Sequence, residues 1–225
     1  ADEKQKARET IQSDTQWLTD NAEILPARPM DDPPPILRRL SAARDARFFD
    51  DIFAANGSGR LLLVDDLYTR QIATQLGTTA TSLQPVLTIA RSRGLLADKA
   101  YTKAITDLVD FGQEYISIDA KAFHAARALD ADDGQGDIGA RFIAATRPLG
   151  GKNAHATSHC AVAIEFLKDV WSARHLTSSE YAATSHLLRE LLKGRTEDYG
   201  RLLTTLDIHL RLKQGFGVYL GEWAR

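Results

Sequence analysis

Cysteine, methionine and long apolar runs are nearly absent from this sequence of 225 residues. Cys160 stands alone, so no internal disulfide can form, and a reducing cytoplasm is the natural compartment. No apolar run much exceeds Leu61-Leu62-Leu63-Val64, far short of the roughly 20 residues needed to cross a bilayer. The start, Ala1-Asp2-Glu3-Lys4, has no signal-like apolar region, so no membrane partner is expected. An initiator Met is missing as well, which fits either a processed chain or the tail of a longer polypeptide. An excess of one charge is also lacking. The balance of 28 basic against 30 acidic residues argues against a broad phosphate-binding surface of the kind that gives sequence-independent nucleic-acid affinity.

What is present is an ordinary globular composition, 44% hydrophobic, enough for one sizeable core or two modest ones. Charge is unevenly spread: residues 1–66 carry nine Lys/Arg and thirteen Asp/Glu, whereas 186–225 carry seven and five. An acidic centre with a mildly basic flank suits a metal-dependent enzyme acting on a phosphodiester; the plainer reading is random scatter.

Residues 3–20 are helix-compatible, and Ala22-Glu23-Ile24-Leu25 is strand-like up to Pro26. The prolines among residues 28–35 exclude regular structure there, because proline fixes φ and removes a donor. From Ile36 to Asn56 the apolar residues recur at three- and four-residue spacing, predicting a helix. Leu61–Val64 is a continuous apolar run, as expected of a strand buried on both faces in a parallel sheet, and it ends in two carboxylates, Asp65 and Asp66. A helix closed by Gly77, a β-prone Thr78–Thr81 and another helix to Gly94 follow, then a helix over 98–111 and a short strand at Tyr115–Ile118. This alternation predicts a parallel α/β sheet with right-handed crossovers. After Asp119 only helices are expected, over 120–129, 137–147, 154–174, 178–193 and about 198–213. The division is therefore 1–35 as helix, short strand and proline-rich loop, 36–119 as α/β core, and 120–225 as a helical subdomain.

Ligands of parallel α/β sheets bind beyond the carboxyl ends of the strands, where Asp65 and Asp66 fall. The alternative is that one of them simply caps the next helix. Arg70, four residues after Asp66, pairs with it either as helix support or as the orienter of a site carboxylate.

The run from Leu61 through Asp65-Asp66, Arg70, Ala73 and Gly77, continuing through Ser82–Ala90 to Gly94-Leu95-Leu96, resembles the later part of PIN domains. The resemblance covers about sixty residues. It implies a PIN-like parallel sheet flanked by helices, followed here by the all-helical extension. It also implies a metal-dependent nuclease acting on RNA or other nucleic acid, with carboxylates holding Mg²⁺ or Mn²⁺. Asp65 or Asp66 takes the position of a family acid, and Asp45, Asp50 and Asp51 are candidates for the acid that the preceding helix supplies. The sequence leaves the choice among those three open. PIN domains open with an apolar strand ending in Asp, and Ala22–Leu25 ends instead in Pro26. Two expectations follow: the missing strand lies upstream of Ala1, or the module is catalytically degenerate and serves protein–protein interaction or regulation. The resemblance extends to PIN-like modules at the end of large multidomain bacterial proteins with helical repeats, so upstream domains of the same polypeptide are expected partners.

Other constellations favour plain readings. Asp130-Ala131-Asp132-Asp133-Gly134 opens like a calcium loop, but the twelfth position is Arg141 rather than Glu, so a solvated turn is expected. His155, His159 and Cys160 have zinc-compatible spacing without the Glu of a hydrolase motif, and Ser158-His159 lacks a nucleophile elbow. Arg38-Arg39 and Arg91-Ser92-Arg93 are expected on solvated faces, and Trp17, Trp171 and Trp223 in core packing.

Overall fold

A computed structural model describes residues 2–23, 35, 38–39, 49–57, 59–136, 138–150, 155–173 and 175–225. The chain divides into two compact units, residues 1–83 and 84–225.

The first unit opens with α1 (Asp2–Asn21). Its polar sequence shows in its surface: every side chain from Lys4 to Asn21 is exposed, and the helix is braced by i,i+4 bonds from Gln5 to Glu9 and from Gln16 to Asp20, both 2.9 Å. Trp17 is 63% exposed, contrary to the core role expected of it: Ile11 and Leu18 are the only other large apolar side chains on the helix, and both are exposed as well. Of the strand expected at 22–25, Ala22 and Glu23 are described and are not in a strand, while its remainder and much of the expected helix over 36–56 lie outside the described residues. Of that helix, Arg38 and Arg39 are described as helical and exposed, and its later part is α2 (Asp50–Ala55), whose first turn holds Asp50 and Asp51 at the positive end of the helix dipole.

After a turn at Asn56-Gly57, the chain enters β1 (Leu62–Leu63), crosses over by α3 (Leu67–Gln75), and returns as β2 (Ala80–Thr81), parallel to β1 with Leu62 opposite Ala80 and Leu63 opposite Thr81. Leu62 N donates to Thr79 O and Val64 N to Thr81 O, each at 2.9 Å. α3 stops in a two-bond motif: Thr78 N donates to Ala73 O (2.9 Å) and Gly77 N to Thr74 O (3.0 Å), with Gly77 at φ +75°. That left-handed turn favours glycine. Asn56 fastens the same corner by donating to Leu76 O and Thr78 Oγ1 at 2.9 and 2.8 Å.

Phe49, Ile52, Ala55, Leu62, Ile72 and Ala73 form the core of this unit. Leu62 is buried, but Leu61 and Leu63 are 55% and 53% exposed, so the strand is not buried on both faces as its apolar run implied. The reason is the pleat. Alternate side chains point to opposite faces, and the core residues lie on the Leu62 side only.

The second unit is all helical among the described residues. α4 (Leu83–Ser92) starts on the last residue of the first unit and is followed by α5 (Asp98–Asp110), α6 (Ala120–Asp132), α7 (Ala140–Thr146), a 3₁₀ turn at Arg147–Gly150, α8 (Ala156–Val170), α9 (Ser178–Leu192), α10 (Tyr199–Leu210) and α11 (Phe216–Trp223). α11 was not anticipated, since two internal glycines weaken its pattern; Phe216 and Leu220, one turn apart, bury its inner face. Phe123, Phe142 and Phe166 meet at the centre, with Phe123 edge-on to both of the others. Trp171 is buried and donates to Thr184 Oγ1 at 3.0 Å.

The strand expected at Tyr115–Ile118 does not form. Tyr115 has φ +61°, which breaks an extended run, and the Ser117 backbone N–H and C=O are both satisfied by the side-chain amide of Gln84 rather than by a neighbouring strand.

Candidate active site at the end of the strand pair

Asp65 and Asp66 follow β1 directly, at the carboxyl end of the parallel pair. Asp66 leaves the strand in extended conformation (φ −68°, ψ 119°) and becomes the N-cap of α3. Its Oδ1 accepts from Thr69 N at 2.6 Å and from Thr69 Oγ1 at 2.5 Å. The Thr69 hydroxyl, with help from the Thr69 and Tyr68 backbone amides and the Arg70 charge, holds the Asp66 carboxyl below its ordinary pKa against a small opposing effect of burial. Asp66 is thus a fixed anion at neutral pH with an exposed side chain.

Asp65 behaves differently. Its Oδ1 accepts from Leu83 N, the first amide of α4, at 2.8 Å. Arg70 does not pair its guanidinium with either carboxylate by a hydrogen bond; Nη1 donates to the carbonyls of Val64 (3.0 Å) and Asp65 (2.9 Å), fixing the backbone on which both acids stand.

Of the upstream acids, Asp50 is half-buried and Asp51 exposed, both in the first turn of α2. Asp45 lies outside the described residues. Among the described residues no three His, Cys, Asp or Glu side chains gather as a metal-holding group. A divalent cation of the Mg²⁺ class takes several oxygen ligands, more than the acidic pair at the strand end supplies by itself.

The remaining sequence candidates resolve into structural roles. Asp130 is fully buried, not part of a solvated turn as expected. Its two oxygens accept from the backbone N–H groups of Gly139, Arg141 and Phe142 at 2.9, 2.9 and 2.8 Å, so it closes the start of α7. Arg91 pairs with Asp98 (2.6 Å) and Asp119 (3.0 Å) over the Tyr101 ring, which leaves it tied rather than presented to a nucleic acid. His155 is exposed; His159 Nδ1 lies 3.0 Å from Leu149 O, and Cys160 is buried with its thiol pKa pushed up by burial. Ser158 and His159 make no nucleophile pair in this setting. The helix-start role of Asp65 was also missed, since the partner amide lies 18 residues away and no local spacing announces it.

Residues 1–75 match the PIN domain associated with the TPR-GreAB-C-PIN system. The first third of the chain is PIN-like. The match ends on the last residue of α3, so it takes in Asp65, Asp66 and Arg70 together with all three upstream acids, while the stretch from Leu76 to Leu96 lies beyond it. No curated protein and no solved structure matches the chain. Among the described residues no helix is long and apolar enough to cross a membrane.

Proposed function

We propose that the PIN-like segment is a metal-dependent endoribonuclease module, built on the acidic pair at the end of β1 and an acid from residues 45–51. The observation that carries this reading is a carboxylate kept ionised at the carboxyl end of a parallel strand, inside the part of the chain that matches a PIN domain. The residues that would hold Mg²⁺ or Mn²⁺ are drawn from Asp65 and Asp66 with Asp45, Asp50 or Asp51. When bound, such a cation polarises the phosphodiester and lowers the pKa of an attacking water.

The chain's own residues contribute charge and placement. Thr69 fixes the orientation of Asp66 and keeps it anionic. Arg70 locks the strand-end carbonyls, so the acids are carried on rigid backbone, which is what a site needs to present its groups without reorganising. The matched family is described with TPR and GreAB-C elements, and upstream domains of the same polypeptide are the partners this reading assigns, with RNA as substrate.

One observation favours a second reading, a degenerate PIN-like interaction module: both acids are engaged at helix starts. Cleavage assays on single-stranded RNA with Mg²⁺, Mn²⁺ or EDTA separate the two. The nuclease reading expects EDTA-sensitive cleavage that one of Asp45→Asn, Asp50→Asn and Asp51→Asn abolishes. Cleavage indifferent to all three variants removes the upstream acid from the account, and no cleavage at all supports the interaction module.

A further inference from the structure

One ring nitrogen in the second unit is approached by a donor and an acceptor at once. His159 Nδ1 lies 3.0 Å from Leu149 O and 3.2 Å from Arg195 Nη2. A carbonyl only accepts and a guanidinium only donates, while an imidazole nitrogen either carries a proton or offers a lone pair. The two contacts therefore belong to different proton arrangements of the ring. With the proton on Nε2 alone, Nδ1 accepts from Arg195. With a proton on Nδ1, the ring donates to Leu149 O and turns an N–H toward the cation.

Three segments meet at this atom. His159 stands at the start of α8, Leu149 is fully buried in the 3₁₀ turn before it, and Arg195, only 7% exposed, follows α9 and donates from Nη1 to Leu191 O at 2.9 Å. Burial weighs most against the imidazolium; the Arg195 and His155 charges add to it, and the Leu149 carbonyl opposes them. The neighbouring charges act one step away: Asp198 on Arg195, and Arg201 and Arg195 on the buried Cys160 thiol. On the turn itself Arg147 pairs with Asp110, and a side chain at Gly150 would meet Glu190 and Lys193 at the end of α9.

We propose that His159 is a proton-operated exchange: the neutral ring accepts from Arg195 and braces the end of α9, and the protonated ring gives up that contact and holds Leu149 O instead. One proton is taken from solvent at Nδ1, and an N–H···N bond is traded for an N–H···O bond. The imidazolium and the guanidinium repel each other in a half-buried setting, so Arg195 Nη2 leaves the ring while Nη1 keeps its bond to Leu191. Acid thus loosens the link between α8 and the end of α9 and tightens the link between α8 and the turn before it. The exchange falls below the ordinary histidine value of 6.5, because the folded chain holds the ring below it.

Nitrogen-resolved NMR of the full chain between pH 8 and pH 5 tests this. At pH 8 the His159 ring should carry its proton on Nε2, and the Arg195 side-chain N–H signals should shift with the midpoint of the ring. That shift should be lost in His159→Gln. In Arg195→Gln the midpoint should rise by about half a unit or more, since a like charge is removed. A proton on Nδ1 at pH 8 overturns the exchange, as do Arg195 signals that ignore the ring's midpoint or a shift that persists in His159→Gln. An unchanged midpoint in Arg195→Gln overturns the part assigned to the Arg195 charge. If Arg195→Gln fails to fold, the tautomer and the shared midpoint, both read in the wild-type chain, still decide.

Discussion

Asp66 and Thr69 are joined twice across the first turn of α3, once through the Thr69 amide at 2.6 Å and once through its hydroxyl at 2.5 Å. Removing the acceptor with Asp66→Ala should destabilise the chain by about 1 kcal/mol, as lost N-caps do, while Asp66→Asn, an equally good cap, should cost only a few tenths. Thermal denaturation followed by circular dichroism reads both.

The same contact has a pH signature. Folding depresses the Asp66 pKa below its ordinary 3.8, so the unfolded chain binds the proton more readily. The stabilisation is complete above that ordinary value and is lost as pH falls through the lower folded one. The gap in melting temperature between wild type and Asp66→Ala should hold from pH 7 to pH 5 and narrow only in strong acid. A gap that closes already near neutrality would mean that the contact is not the cause.

Asp130 and Gly139 predict a larger effect in the second unit. Asp130→Ala leaves three amides of the α7 start without their acceptor in a buried site and should cost about 3 kcal/mol or more. Gly139→Ala should also be costly, because a Cβ there would come within 2.6 Å of the Asp130 carboxylate, a side chain held in place by those three bonds. Urea denaturation of both variants measures this; wild-type midpoints would refute the role of Asp130.

Two histidines make the second unit acid-sensitive. His159 and His186 are both held below the usual histidine pKa, chiefly by burial; His159 also faces Arg195, and His186 Nε2 lies 2.9 Å from Thr146 Oγ1. Their lowered folded pKa means that the unfolded chain gains protons first, so stability falls as pH drops below about 6.5. His159→Gln and His186→Gln should flatten the loss of melting temperature between pH 7 and pH 5. If both variants keep the wild-type slope, other groups carry it.

The helices of the second unit were legible because Leu167, Leu187 and Leu206 sit in strong 3.6-residue patterns, and such local periodicity survives folding. The strand at Leu61–Val64 was legible as a strand but not as a half-exposed one: a run of four apolar residues has no alternation to say which face is covered. Asp130 looked like turn chemistry because its three donors come from the next helix, and the Tyr115–Ile118 segment looked like a strand because nothing local foretells a positive φ at Tyr115. At the candidate site, the position of Asp65 and Asp66 after β1 was readable. Their separate partners, Leu83 and Thr69, were not equally so: Thr69 lies three residues away and Leu83 eighteen.

The most direct test of the account is the single-turnover rate of RNA cleavage by the full chain as Mn²⁺ is raised, for wild type beside Asp66→Asn. The substitution keeps a side-chain acceptor to cap α3 and removes the charge. The account predicts Mn²⁺-dependent cleavage in the wild type and loss of about a hundredfold or more in Asp66→Asn, with the melting temperature lowered only slightly. Equal rates in the two proteins, or cleavage that persists in EDTA, would contradict it.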